Sequence, residues 1–281
     1  MPTSSHCVTL QTLFRSVGSV DLAFEKAEPP NGMNGSRPVV VLHGLFGQKQ
    51  NWRSLSRAMA KELNTNVYAL DLRNHGTSPH NQDMQYKTLA SDVLHFFNTH
   101  SLSNVTLIGH SMGGKAASAV ALKPDLPPNT LSSLIVVDVT PKKVALSSEF
   151  SHYAKAMKAI DDVEVRDSKA AHRILEEYSD YKIELPVRQF LLTNLGVVDG
   201  VRKFRIPLDI ITSQLHEVSW DGPTLAISGL RSNYIRDKDI PIIKMLFPRA
   251  EFASLDASHW VHADRPIEFL QLVRGFLKKH Q

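Results

Sequence analysis

Cysteine is almost absent from this chain. Cys7 stands alone, which excludes an internal disulfide framework and implies a reducing compartment. No apolar run approaches the ~20 residues that a membrane-spanning helix requires. Basic residues form no cluster interleaved with aromatics, so the formal charge of +4 and pI near 9.1 read as a mildly basic surface rather than a nucleic-acid or lipid footprint. Repeats and low-complexity tracts are missing as well. Acidic residues are missing from Met1 to Val20, a stretch rich in Ser and Thr that sets Leu10, Leu13, Phe14 and Val17 at helical spacing beside Arg15. One arginine is few for a transit peptide.

Among what is present, Gly109-His110-Ser111-Met112-Gly113 has the form G-x-S-x-G. It follows the apolar run Asn104 to Ile108 and precedes the helix-forming Lys115 to Ala119, so the residues predict a strand, a sharp turn with a serine at its apex, and a helix. The flanking glycines are expected to permit a strained backbone that pushes the hydroxyl into the open. Gly109 to Lys115 also fits the phosphate loop G-x-x-x-x-G-K, but such a loop needs Ser or Thr after the lysine to ligate magnesium, and here Ala116 follows. A serine hydrolase is the better reading. Val39 to Leu42 is a continuously apolar strand ending in His43-Gly44-Leu45-Phe46-Gly47, a loop that would lie beside the elbow. Two backbone N–H groups are expected to hold an oxyanion: that of Met112 and that of Leu45, with Phe46 as the neighbouring alternative.

The general base should be a late histidine, because this fold orders nucleophile, acid and then histidine. His259 follows the β-like Ala250 to Leu255 and precedes the helix entered through Arg265-Pro266. His262 is its nearest rival, on the helix side, where packing or capping suits it better. The loop after Pro223 to Gly229, a usual place for the acid, reads Leu230-Arg231-Ser232-Asn233-Tyr234 and has no carboxylate. Asp138 ends the preceding strand at its carboxyl edge, where open α/β sheets collect functional residues, and is assigned as the acid over Asp237. Asp71 is read as a brace for Arg73-Asn74-His75-Gly76.

Together these segments, with Val137-Asp138-Val139-Thr140-Pro141 and His259-Trp260-Val261-His262, resemble one α/β-hydrolase subfamily, the small bacterial YbfF-type esterases and the mitochondrial abhydrolase-domain-containing eleven group. The resemblance runs over nearly the whole chain from about Val20. It implies hydrolysis of short-chain acyl esters or thioesters without a metal or organic cofactor, supports Asp138 as acid, and implies a mitochondrial presequence in the first residues, with a cytoplasmic location as the alternative. A related branch includes acetyltransferases that pass an acetyl group to ethanol.

The expected organisation is an α/β fold with a mostly parallel sheet flanked by helices: residues 1–19 an extension, 20–140 and 219–281 the core, and 141–218 an inserted cap. In the last segment strand patterning gives way to helical spacing, with Phe150, Tyr153, Met157 and Ile160 on one stripe and Leu208, Ile211, Leu215 and Val218 on another. The expected partner is a small acyl ester or thioester, with neither nucleic acid nor membrane span. Two other readings stand beside hydrolysis: an alcohol acyltransferase using the same residues, and a binding protein of this fold whose triad is vestigial.

Overall fold

Val39–Leu42, β2, carries four apolar side chains in succession and is buried on both faces, which marks a strand covered by helices on either side of a parallel sheet. The computed structural model describes residues 18–30, 32, 37–140, 148–163, 165–178, 183–211 and 222–280. The other strands of the sheet are β1 (Phe24–Ala27), β3 (Val67–Leu70), β4 (Val105–His110), β5 (Leu131–Val137), β8 (Thr224–Gly229) and β9 (Ala250–Leu255). Their order is β1-β3-β2-β4-β5-β8-β9, with β1 antiparallel and all other pairs parallel.

Alternating side chains divide the apolar residues into two layers. Val40 and Leu42 face the layer that holds α2 (Tyr86–Thr99) and α3 (Met112–Ala121), whereas Val39 and Val41 face α1 (Arg53–Leu63) and α10 (Pro266–Lys279). The chain runs from β2 to β3 on one side and returns to β4 on the other, so the carboxyl ends of β2 and β4 part at a topological switch point. Open α/β sheets bind ligands in that crevice. The remaining core helices are α8 (Ile240–Leu246) and α9 (Val261–Asp264).

Between β5 and β8 lie α4 (Ser148–Asp161), α5 (Ser168–Glu177), α6 (Leu185–Leu192), the strands β6 (Leu195–Val198) and β7 (Val201–Phe204), and α7 (Leu208–Ile211). Tyr153, Met157 and Ile160 form a buried stripe on α4. Only the backbone of Phe150 and Ile211 is described, and Leu215 and Val218 fall outside the described residues, as do residues 1–17 with Cys7 and the expected presequence. A purely helical insertion is corrected by the antiparallel hairpin β6–β7. Asp199 and Gly200, at φ 51° and 76°, make its turn between valines. Two successive left-handed residues match the twist of a tight hairpin, and Asp-Gly is a preferred pair there. Among the described residues no helix is long and apolar enough to cross a membrane.

Candidate active site

Ser111 lies between the end of β4 and the first residue of α3, at φ 51° and ψ −117°, a strained conformation for a residue with a side chain. Its N–H donates to Val137 O at 2.9 Å. The flanking glycines do not carry this strain; the serine itself does. A Cβ on Gly109 would stand 2.3 Å from Gly113 O, and one on Gly113 would stand 2.5 Å from both Leu42 O and His43 O. These glycines are required because helix α3 starts in contact with β4 and with the end of β2.

Ser111 Oγ is 3.0 Å from His259 Nε2, and His259 Nδ1 is 2.6 Å from Asp138 Oδ2. All three residues are buried. Because Asp138 can only accept when ionised, the geometry gives His259 its proton on Nδ1 and turns the Nε2 lone pair to the serine hydroxyl. Asp138 follows β5 at φ 47° and is tied down on its other oxygen, which accepts from Gly229 N at 3.0 Å. Ser232 Oγ donates to Asp138 Oδ2 at 2.6 Å. The loop after β8 therefore contributes a hydroxyl bonded to the carboxylate rather than a carboxylate of its own. Asp237 is exposed in a 3-10 turn, Asp237–Asp239.

Of the two late histidines, only His259 reaches Ser111. His262 is stacked on Trp52, with ring centroids 4.1 Å apart and planes 6° from parallel. Burial and the neighbouring His259 push the His262 pKa down to about 3, so its ring stays neutral. His110 was not singled out by its sequence position. Its Nε2–H donates to the carbonyl of His259 at 2.9 Å, which holds the His259 loop against the elbow. Burial, then the imidazoles of His262 and His259, push His110 well below the usual histidine range. Tyr234 stacks on the His259 ring at 4.0 Å.

The loop after β2 closes on this arrangement. A Cβ on Gly44 would meet His110 Nδ1 at 2.6 Å and Ser111 Cβ at 3.3 Å. Gly47 N donates to Gly44 O at 2.9 Å, closing a four-residue turn in which Phe46 has φ 61°. The Phe46 N–H donates to His75 Nε2 at 3.2 Å, which engages it away from any oxyanion. Among the described residues no acceptor meets the Leu45 N–H, and the Met112 N–H opens α3, where the helix itself provides no acceptor. His43, Gly44, Leu45, Ser111, His259 and Phe190 are among the residues around a cavity of about 20 Å³, room for one water.

Behind the turn, Asp71 accepts from Lys49 N at 2.6 Å and from Thr77 N at 2.9 Å, and pairs with the Lys49 ammonium. Burial alone would raise its carboxyl, but the bonds from Lys49 and Thr77 hold it below the usual range. Arg73 meets Asp92 through two bonds of 2.5 and 2.6 Å, both side chains fully buried. Burial, then His43, push the His75 pKa down to about 3. It is a neutral ring that donates from Nδ1 to Arg73 O at 3.0 Å and accepts at Nε2.

A serine, an imidazole and a carboxylate in line at a strained strand-to-helix turn define a serine hydrolase built on an α/β sheet. Residues 37–175 match the family model for the alpha/beta hydrolase fold, and the chain belongs to that family. It is 36% identical to the sn-1-specific diacylglycerol lipase ABHD11 of Danio rerio, over 94% of this chain and 84% of that protein. It is also 36% identical to a probable alcohol acetyltransferase of Saccharomyces cerevisiae, over 87% of this chain and 78% of that protein. Among solved structures, a marine microorganism esterase superposes with a TM-score of 0.81 at 34% identity, over 92% of this chain and all of the other.

Proposed function

We propose that the protein hydrolyses short-chain acyl esters or thioesters through an acyl-enzyme on Ser111, with His259 as general base and Asp138 as the carboxylate that orients it. The observation that carries this reading is the unbroken line from Ser111 Oγ to His259 at 3.0 Å and on to Asp138 at 2.6 Å. His259 takes the hydroxyl proton as Ser111 attacks the acyl carbonyl. Asp138 keeps the imidazole in the tautomer that accepts at Nε2, and offsets the positive charge that forms. The Leu45 and Met112 N–H groups stabilise the oxyanion; one such donor contributes about 3 kcal/mol in known hydrolases. His259 then returns the proton to the departing alkoxide or thiolate. Water activated by the same ring attacks the acyl-serine and releases the acid.

The residues between β5 and β8 serve as the cap over this pocket. Phe190 on α6 borders the same cavity as Ser111 and His259, which supports that reading. The family resemblance of the chain from Val20 onward, together with the acid-free, Ser- and Thr-rich stretch before it, supports a mitochondrial address. Rapid quenching with p-nitrophenyl acetate and peptide mass spectrometry tests the chemistry. An acetyl group on the Ser111 peptide that decays with turnover is the expected result; an adduct elsewhere, or none, contradicts it.

The similarity to a probable alcohol acetyltransferase supports a second reading, in which an alcohol replaces water at the acyl-serine. Both readings use the same residues. Product analysis with ethanol present separates them, since substantial ethyl ester identifies a transferase.

A further inference from the structure

The turn Gly44–Gly47 is closed by the Gly47 N–H on Gly44 O, and Phe46 occupies its third position at φ 61°. That position of a turn with positive φ is usually taken by glycine or asparagine. A buried phenylalanine there is strained and persists only where its surroundings hold it. Two side chains do so from opposite ends of the residue. His75 accepts the Phe46 N–H at 3.2 Å, and Asn194 Nδ2 donates to the Phe46 carbonyl at 2.7 Å.

Asn194 does not belong to the sheet. It sits between α6 and β6 in the inserted segment, 148 residues from Phe46, and is buried. Its backbone is fixed on both sides: its N–H donates to Leu191 O at 3.1 Å and its carbonyl accepts from Arg205 N at 3.0 Å. A rigid arm of the insert therefore grips the turn that presents the Leu45 N–H, one residue before Phe46.

We propose that Asn194 is a positioning residue that aims the oxyanion turn, so that the inserted segment takes part in transition-state stabilisation as well as covering the pocket. This rests on the reading of Leu45 as an oxyanion donor given under the proposed function. Without the Asn194 donor the Phe46 carbonyl is buried without that partner, and the turn gains a reason to flip toward an arrangement with φ below zero. The Leu45 N–H would then lose its aim while the serine, histidine and aspartate stay in place.

Asn194→Leu keeps the branched shape and heavy-atom count and removes the donor. Losing an oxyanion donor outright costs 10²–10³-fold in kcat, and misdirecting one should cost part of that, roughly 30-fold. A trifluoromethyl ketone, whose adduct with the serine places an oxyanion in the same site, should lose affinity by a similar factor, with KM within about threefold. A folded variant with kcat and ketone affinity both within twofold of wild type, or with KM raised and kcat unchanged, overturns the proposal. Should Asn194→Leu fail to fold, Asn194→Ser is read by the same criteria. Ser111→Ala run alongside isolates the underlying reading: if that variant turns over the ester like wild type, the acyl-serine mechanism fails, whatever Asn194 does.

Discussion

The sheet and the insert contribute to the site in different ways. Ser111 and Asp138 stand at the carboxyl ends of β4 and β5, which have parallel neighbours on both sides, His259 stands in the loop after the edge strand β9, and bonds of 3.0 and 2.6 Å connect them. The insert, by contrast, meets the site through a buried amide on Phe46 and an aromatic ring, Phe190, at the cavity wall. Groups that exchange protons need fixed geometry to within a fraction of an ångström, and strand ends provide it. An insert that shapes the pocket can change without dismantling the chemistry, which is how one fold serves esterases, lipases and transferases.

Asp138→Asn should break the sheet side of this comparison most sharply, lowering turnover by about ten-thousand-fold through loss of the orienting carboxylate. Asp237→Asn, on an exposed turn, should stay within twofold; the reverse result in p-nitrophenyl acetate assays would move the acid to Asp237. Ser232→Ala removes a hydroxyl bonded to the Asp138 carboxylate and should cost about tenfold in kcat, consistent with a hydrogen bond to a charged group. Phe190→Ala sharpens the insert side: kcat/KM measured over a ladder of acyl lengths should shift its preference toward longer chains, with kcat on the best substrate within about fivefold.

His262→Phe keeps a flat ring against Trp52 and should leave kcat within about threefold. Its influence is on acid stability. Burial brings the His262 pKa down to about 3 on folding, from the ordinary histidine value of 6.5 in the unfolded chain. Between those values the unfolded state binds the proton and the folded state does not, so stability is full above pH 6.5 and is lost as pH falls toward 3. Each such group contributes a slope of up to about 1.4 kcal/mol per pH unit in that window. Denaturation midpoints across it should be flatter for His262→Phe; an unchanged slope would mean that this ring is protonated in the folded state.

Much of the core was legible because its signals are local. Four apolar residues before His43, the G-x-S-x-G after Ile108 and the short run before His259 each announce a strand end without reference to anything distant. The hairpin β6–β7 carries a local signal as well, the Asp199-Gly200 pair between Val198 and Val201, set between segments of helical spacing. What could not be read are partners distant in sequence. Ser232 meets Asp138 across 94 positions, and Asn194 meets Phe46 across 148. His110 is a special case: it occupies the variable place of the elbow motif, and only the folded loop of His259 shows why a donor stands there.

Hydrolysis of p-nitrophenyl acetate by wild type and Ser111→Ala, both verified as folded by circular dichroism, tests the central claim most directly. Rapid release by wild type and its abolition in the variant is the predicted result. Equal, slow release from both would contradict an acyl-serine mechanism and would favour a binding protein built on this fold.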